Sequence, residues 1–399
     1  MKLNTIRLVA LTGCYAIGIS LASDANLDSK APVVPVAPSS ATLPGKERQL
    51  HGNPVYAKLV GAAVERMRER ARLDEGEGGD MLWRKAERVK DVGSFYWIRV
   101  IRDVPCDHIV GVVLEGLQGQ GRGSCAAPGF SLPRLEDYKR NYVDPLAKLI
   151  NAANTTAFAI VIEPGFFSNM IATFTTVQAC GANVTRQSYR ENVAYALRTL
   201  SLPNVVLYND AGHGGTVGWQ TNLKAAADEL FGVYEAAGRP EQVRGIAVNT
   251  GGWNSWDLSP GEFETTRETP VNRAQNEKRF VQLLGNLLKQ SSTPYHAVMD
   301  TSRNGVQGLR AHWTDWCNLN GAGFGRFPSA QGTGLDDFAD AFIWAKGGGI
   351  SDGTSDAASL NFEVNCGQEW VFEPSPEKGE WNQAYFEMLL ENARPSIKV

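Results

Sequence analysis

Ala157-Phe-Ala-Ile-Val-Ile-Glu-Pro164 is six apolar residues closed by a carboxylate and a proline. Side chains alternate across a strand, so a run apolar at every position has both faces covered and reads as a buried parallel strand with a polar tip. The next residue is Gly165. Similar apolar runs occur at Tyr96–Ile101, His108–Glu115, Val205–Ala211, Gly245–Asn249, Tyr295–Thr301 and Phe342–Lys346. Amphipathic stretches at Leu135–Ala152, Ser188–Leu200, Asn222–Ala237 and Arg273–Lys289 separate several of them. Strand-helix alternation over about 250 residues predicts an α/β fold, a distorted parallel β/α barrel with the helices outside, closed or nearly so.

Glu163, Asn209, Asp210, Asn249, Asp300 and Lys346 all stand at the C-terminal tips of these runs. On a parallel barrel those tips meet on one rim, where active sites are built. One polar tip is ordinary capping; six converging ones predict a site.

The chain has 399 residues, 43% of them hydrophobic, enough for one large domain. A net charge of −4 without long runs of one sign argues against a nucleic-acid partner. Met1–Arg7 is basic, Leu8–Leu21 apolar and Ser20-Leu21-Ala22 small at the cleavage positions. This predicts a secretory signal over residues 1–22, too short for a membrane span, and hence a secreted, extracellular protein. Residues 23–50, rich in Ala, Pro, Ser and Val, read as a tether, and residues 51–399 as the domain. A helix begins near Asn53 with Tyr56, Leu59, Val60, Ala63 and Met67 on one face. Without Cys14 of the signal, five cysteines remain: Cys106, Cys125, Cys180, Cys317 and Cys366. In an oxidising compartment four would pair and one be left over, and sequence alone does not choose the partners. Two glycosylation sequons, Asn154-Thr-Thr156 and Asn183-Val-Thr185, accord with secretion. There is no Cys/His metal spacing, no Gly-rich phosphate loop and no Gly-x-Ser-x-Gly elbow, so neither cofactor nor metal is expected.

The Ile-Glu-Pro tip, Asn204-Val-Val-Leu-Tyr-Asn-Asp-Ala-Gly-His-Gly-Gly215, Trp313-Thr-Asp-Trp-Cys-Asn318, Gly323-Phe-Gly325 and Ser351-Asp-Gly-Thr-Ser-Asp356 together resemble glycoside hydrolase family 6, the cellobiohydrolases and endoglucanases. The resemblance covers about Lys85 to Pro395. It implies a monomeric protein acting on β-1,4-glucan and disulfides Cys125–Cys180 and Cys317–Cys366, with Cys106 the odd thiol. It also implies Asp352 as the base, Lys346 as its cationic neighbour and Asp210 as a carboxylate lining the cleaved-bond subsite. Trp97, Trp219 and Trp316 match sugar-stacking tryptophans, while Thr216 replaces another and Ile350 stands where a Glu is usual. His213 and Asn249 complete the expected substrate contacts.

Inversion at a glycosidic bond needs a protonated carboxyl on one side of the sugar and an ionised one on the other. Family members usually read Ile-Glu-Pro-Asp, and that Asp is the acid. Here Gly165 takes its place, Ser124 (or Gly123, if the gap shifts) stands for the helper Asp, and Leu114 for the helper tyrosine. Gly has no titratable group, and Ser is no acid near neutral pH. Glu163, two residues from Gly165 on an extended strand, would point to the same face, but the family keeps that Glu alongside its Asp, so it is read as structural, and Glu115 at the neighbouring strand end is the better substitute acid. The expectation is therefore a glucan-binding protein impaired in catalysis. The alternatives are an active inverting glucanase using Glu115, and a secreted effector or decoy.

Overall fold

The computed structural model describes residues 7–9, 18–20, 49–73, 78–90, 92, 100–101, 104, 108–117, 132–172, 183–264 and 270–399. Seven strands form one sheet: β1 (Gln49–Leu50), β2 (His108–Leu114), β3 (Ala157–Ile162), β4 (Val205–Asp210), β5 (Val243–Val248), β6 (His296–Asp300) and β7 (Ala339–Ile343). Their spatial order follows the chain, β1 to β7, and every pairing is parallel. No ladder joins β7 back to β1 among the described residues, so the barrel is distorted and incompletely closed.

The expected all-apolar strand splits cleanly between two cores. Phe158, Ile160 and Ile162 of β3 point outward into the large core beneath the helices, while Ala157, Ala159 and Val161 point inward. The inner face is lined mostly by small or branched residues such as Val206, Ala247, Val298 and Ala341, which lets the sheet curl. A third core joins the helices Pro54–Leu73, Gly78–Lys90 and Gln383–Glu391 to Trp344 and Phe324 near the end of the sheet. In the first of these helices Tyr56, Val60, Ala63 and Met67 are buried, as the periodicity predicts.

Three expectations change. Of the run Tyr96–Ile101 only Val100–Ile101 lies within the described residues, and it pairs antiparallel with Gly18–Ser20, which in turn pairs with Arg7–Val9, not with the parallel sheet. The first sheet position belongs instead to Gln49–Leu50, at the end of the stretch read as a tether, and Leu50 is buried. Apart from those short strands, the expected signal and tether lie outside the described residues, as do Trp97, Cys106, Ser124, Cys125 and Cys180. Finally, β3 ends at Ile162, and Glu163 leaves the extended conformation with φ +51°.

That last departure organises the rim. The fully buried Glu163 carboxylate accepts hydrogen bonds from the amides of Gly116 (2.9 Å) and Leu117 (2.8 Å) and from the Tyr138 hydroxyl (2.6 Å). It thereby ties the end of β2 to the end of β3. Burial pushes its pKa up to about 8, opposed by Tyr138 and the two amides. Gly116 must be glycine here, since a Cβ would lie 2.8 Å from Tyr142 and 2.9 Å from Tyr138. Tyr138→Phe removes one donor from a buried acid. It is expected to destabilise the protein by about 1–3 kcal/mol, read as a lower urea midpoint at unchanged slope.

Candidate active site

The ends of β6 and β7 and the loops after them build one buried charge cluster. Asp352 accepts from Arg303 Nη1 (2.7 Å) and the Asn318 amide (3.0 Å) on Oδ2, and from Lys346 Nζ (2.9 Å) on Oδ1. Burial alone would raise its pKa, but the charges of Arg303 and Lys346 outweigh it and hold the carboxyl well below the usual range. Asp352 is therefore ionised at any ordinary pH. Arg303 is itself fully buried, lies over the Trp253 ring at 3.9 Å and donates to the Gly251 carbonyl. Burial pushes the Lys346 pKa down, against the pull of Asp352.

Asp300, at the tip of β6, is a brace beneath this cluster. It accepts from the amides of Gly251 (2.8 Å), Ser302 (2.9 Å) and Lys346 (3.1 Å). Asn249 lies deeper than a substrate contact should. At φ +56° and 1% exposed, its amide donates to the carbonyls of Asp300 (2.9 Å) and Asn254 (3.3 Å), and its oxygen accepts the Asn254 amide (3.1 Å). Its side chain is committed to holding the β5 turn.

Across the rim, the end of β3 presents backbone where a carboxyl is usual. Gly165 follows Pro164 with φ +87°, a left-handed conformation that glycine adopts readily and L-residues rarely do. Its amide donates to Asp210 Oδ2 at 3.2 Å. Asp210 is buried, and desolvation raises its pKa to about 7. Glu115 is exposed just past β2.

Half-buried His213 starts the helical turn Gly214–Val217; burial, then the nearby Arg310 charge, lowers its pKa to about 3, so the ring is neutral. Behind it, Glu277 Oε1 accepts from Asn254 Nδ2 (2.6 Å) and the Gly214 amide (2.9 Å), and burial raises its pKa to about 7. Trp219 is half-buried, its indole N–H donating to the Gly215 carbonyl at 2.7 Å. Trp316 is half-buried against the Cys317–Cys366 disulfide, whose S–S distance is 2.06 Å. That pairing matches expectation; the partner pairing lies outside the described residues. Among the described residues no His/Cys/Asp/Glu group is arranged to hold a metal, and no helix is long and apolar enough to cross a membrane.

Sequence reading missed Arg303 and Asn318. Arg303 sits in an unremarkable polar stretch, Thr301-Ser-Arg-Asn304, and its only signal is its position just past a strand tip. Asn318 lay inside a recognised motif, overshadowed by Trp316 and Cys317.

Burial sets a pH dependence. The raised pKa values of Glu163 (about 8), Asp210 (about 7) and Glu277 (about 7) mean the folded state binds these protons more tightly than the unfolded chain. Their contribution is complete below the unfolded values near 4 and is lost as pH rises through 7 to 8. Glu277→Gln keeps an acceptor oxygen for Asn254 and Gly214 but cannot titrate. The melting temperature of the unmodified protein is expected to fall between pH 5 and pH 8.5, and that of Glu277→Gln to fall less; equal slopes would contradict this assignment.

Comparison with known proteins accords with this geometry. The family model described as glycosyl hydrolases family 6 matches residues 46–393. A Podospora anserina protein named 1,4-beta-D-glucan cellobiohydrolase CEL6C is 49% identical over 323 residues, covering 78% of this chain and 80% of its own length. Exoglucanase 3 of Agaricus bisporus is 35% identical, covering 87% of this chain and 80% of its own. The catalytic core of cellobiohydrolase Cel6A from Chaetomium thermophilum superposes with a TM-score of 0.74 at 32% identity, covering 86% of this chain and 96% of its own. Cellobiohydrolase II from Humicola insolens, solved with glucose and cellotetraose, gives a TM-score of 0.75 at 30% identity, over 88% and 98% of the two chains. With the family model spanning nearly the whole of the barrel and its loops, the chain belongs to glycosyl hydrolase family 6.

Proposed function

We propose that this protein is a secreted, monomeric β-1,4-glucan binder of cellobiohydrolase descent, impaired at the proton-donation step. The observation that carries the reading is the asymmetry of the rim. One side holds an ionised carboxylate, Asp352, in a built cluster with Arg303 and Lys346. The other side holds Gly165, whose backbone amide faces Asp210. Inverting hydrolysis needs an acid and a base together, and general acid catalysis is worth about 10²–10⁴-fold. Glucan recognition does not need the acid. It rests on Trp219, Trp316 and Trp97 as stacking platforms and on Lys346, His213 and Asp210 as polar contacts. The relatives named cellobiohydrolases, and the Humicola structure holding cellotetraose, support that class of ligand. Affinity for cello-oligosaccharides is expected between micromolar and millimolar, since each stacked ring adds only about 1 kcal/mol beyond its buried area. Failure to bind any cello-oligosaccharide would favour an effector or decoy instead.

One observation favours a second reading, an active inverting glucanase with a relocated acid. Asp210, with a pKa near 7, is protonated in mildly acidic solution and lies against the backbone of Gly165. Glu115, exposed beside the β2 end, is the other substitute.

Substrates with different leaving groups separate the two. A β-cellobiosyl fluoride needs no protonated leaving group, so Asp352 suffices to direct water at it. It is expected to be turned over while cellotetraose is not. Gly165→Asp combined with Ser124→Asp is expected to raise cellotetraose hydrolysis. Gly165→Asp alone should do less, because it lacks the helper carboxyl that Ser124→Asp restores, while both variants carry the cost of about 1–3 kcal/mol that φ +87° imposes on an L-residue. Cellotetraose turnover in the unmodified protein, abolished by Glu115→Gln or Asp210→Asn, would establish the second reading.

A further inference from the structure

Asn318 commits its backbone N–H and both branches of its side chain to the segment that carries Asp352. Its amide N–H donates to Asp352 Oδ2 at 3.0 Å, and its side-chain oxygen accepts the Asp352 amide at 2.8 Å. Its side-chain NH2 donates to Ser351 Oγ (3.1 Å) and to the Gly353 carbonyl (2.9 Å). The residues before, at and after Asp352 are thus all gripped by one side chain. Only a group with an acceptor at one branch and two donors at the other can do this.

Asn318 is in turn held from behind. Its carbonyl accepts the Phe372 amide at 2.8 Å, and its neighbour Cys317 is bridged to Cys366 with Cα atoms 5.1 Å apart. Gly353 packs on that bridge so closely that a Cβ there would sit 2.7 Å from the Cys366 sulfur. The residue itself takes φ +40°, a left-handed conformation in which Asn is enriched among non-glycine residues. Arg303 and Lys346 supply charge to Asp352 through long side chains, whereas Asn318 supplies a fixed backbone frame.

We propose that Asn318, anchored by the Cys317–Cys366 bridge, is a positioning residue that aims the Asp352 carboxylate. The proposal rests on Asp352 acting as the base of this site. Displacing a reacting group by about 1 Å costs about 10²-fold in rate, so the loss of this frame should appear in turnover and not in ligand binding.

The test is steady-state hydrolysis of β-cellobiosyl fluoride by the full chain, its Asn318→Gly variant and its Asp352→Asn variant, across a pH series, with melting temperature and cellotetraose affinity measured on the same samples. Glycine at 318 keeps the left-handed backbone and the amide donated to Asp352, and removes only the side-chain grip. Asn318→Asp, which keeps the acceptor and loses the NH2 donors, is the second variant should the glycine form fail to fold. The expected result is kcat lowered about ten- to hundredfold with KM and cellotetraose affinity within about twofold of the parent, the rate remaining flat on the acid side because Arg303 and Lys346 still hold Asp352 ionised. Wild-type kcat in Asn318→Gly beside an inactive Asp352→Asn would overturn the positioning role alone. Loss of cellotetraose affinity and melting temperature in parallel with kcat would overturn it in favour of a general structural role. Equal rates in the parent and Asp352→Asn, or no fluoride turnover by the parent, would overturn the base assignment and the proposal together.

Discussion

A buried cation, Arg303, and a half-buried one, Lys346, meet one buried anion at Asp352, and the upper face of this protein is arranged to keep them together. A charge removed from water is stable only when paired and fully hydrogen-bonded. Arg303 is 1% exposed, so breaking its ion pair with Asp352 or its bond to the Gly251 carbonyl would leave a buried charge uncompensated, and the Trp253 ring covers its face. Those demands fix the loops after β5, β6 and β7 relative to one another. Asp300 braces two of them, and the Cys317–Cys366 bridge ties in the third. The cluster is therefore a folding constraint as well as a chemical device, which is why it can persist whether or not the site turns substrate over.

The opposite side of the rim carries no such constraint on its reacting group. Glu163 performs the structural work there, joining β2 to β3 through Tyr138 and two backbone amides. Gly165, two positions on, takes no part in that join; it adopts a left-handed turn after Pro164 and hands its amide to Asp210. The two halves of the catalytic apparatus thus differ in how tightly folding holds them.

The same physics explains what the sequence made legible. The strand Ala157–Ile162 was readable because burial on both faces leaves only apolar residues, and the strand tips because a parallel sheet must end in polar caps. Asp352, Lys346 and the Cys317–Cys366 pair followed from resemblance to the family. The structural role read for Glu163 stands, but its placement on the face of Gly165 does not, since two-residue periodicity holds only while the strand continues and a left-handed residue ends it. Asn249 misled: a polar tip looks the same whether it faces substrate or folds back on its own turn. Arg303 and Asn318 gave no periodic signal, because loop contacts across 49 and 34 residues of chain leave no local pattern. Gln49–Leu50, read as the end of the tether, also joins the parallel sheet, a two-residue strand being too short to read.

The proposed function requires that recognition and hydrolysis be uncoupled in this site. Incubating the purified protein with cellohexaose, with heat of binding and released sugars followed in the same sample, tests this. Saturable binding is expected, with no shorter oligosaccharides released over the time in which an active relative would consume the substrate. Cellobiose released at a rate typical of such enzymes, about 1 s⁻¹ or faster, would contradict it.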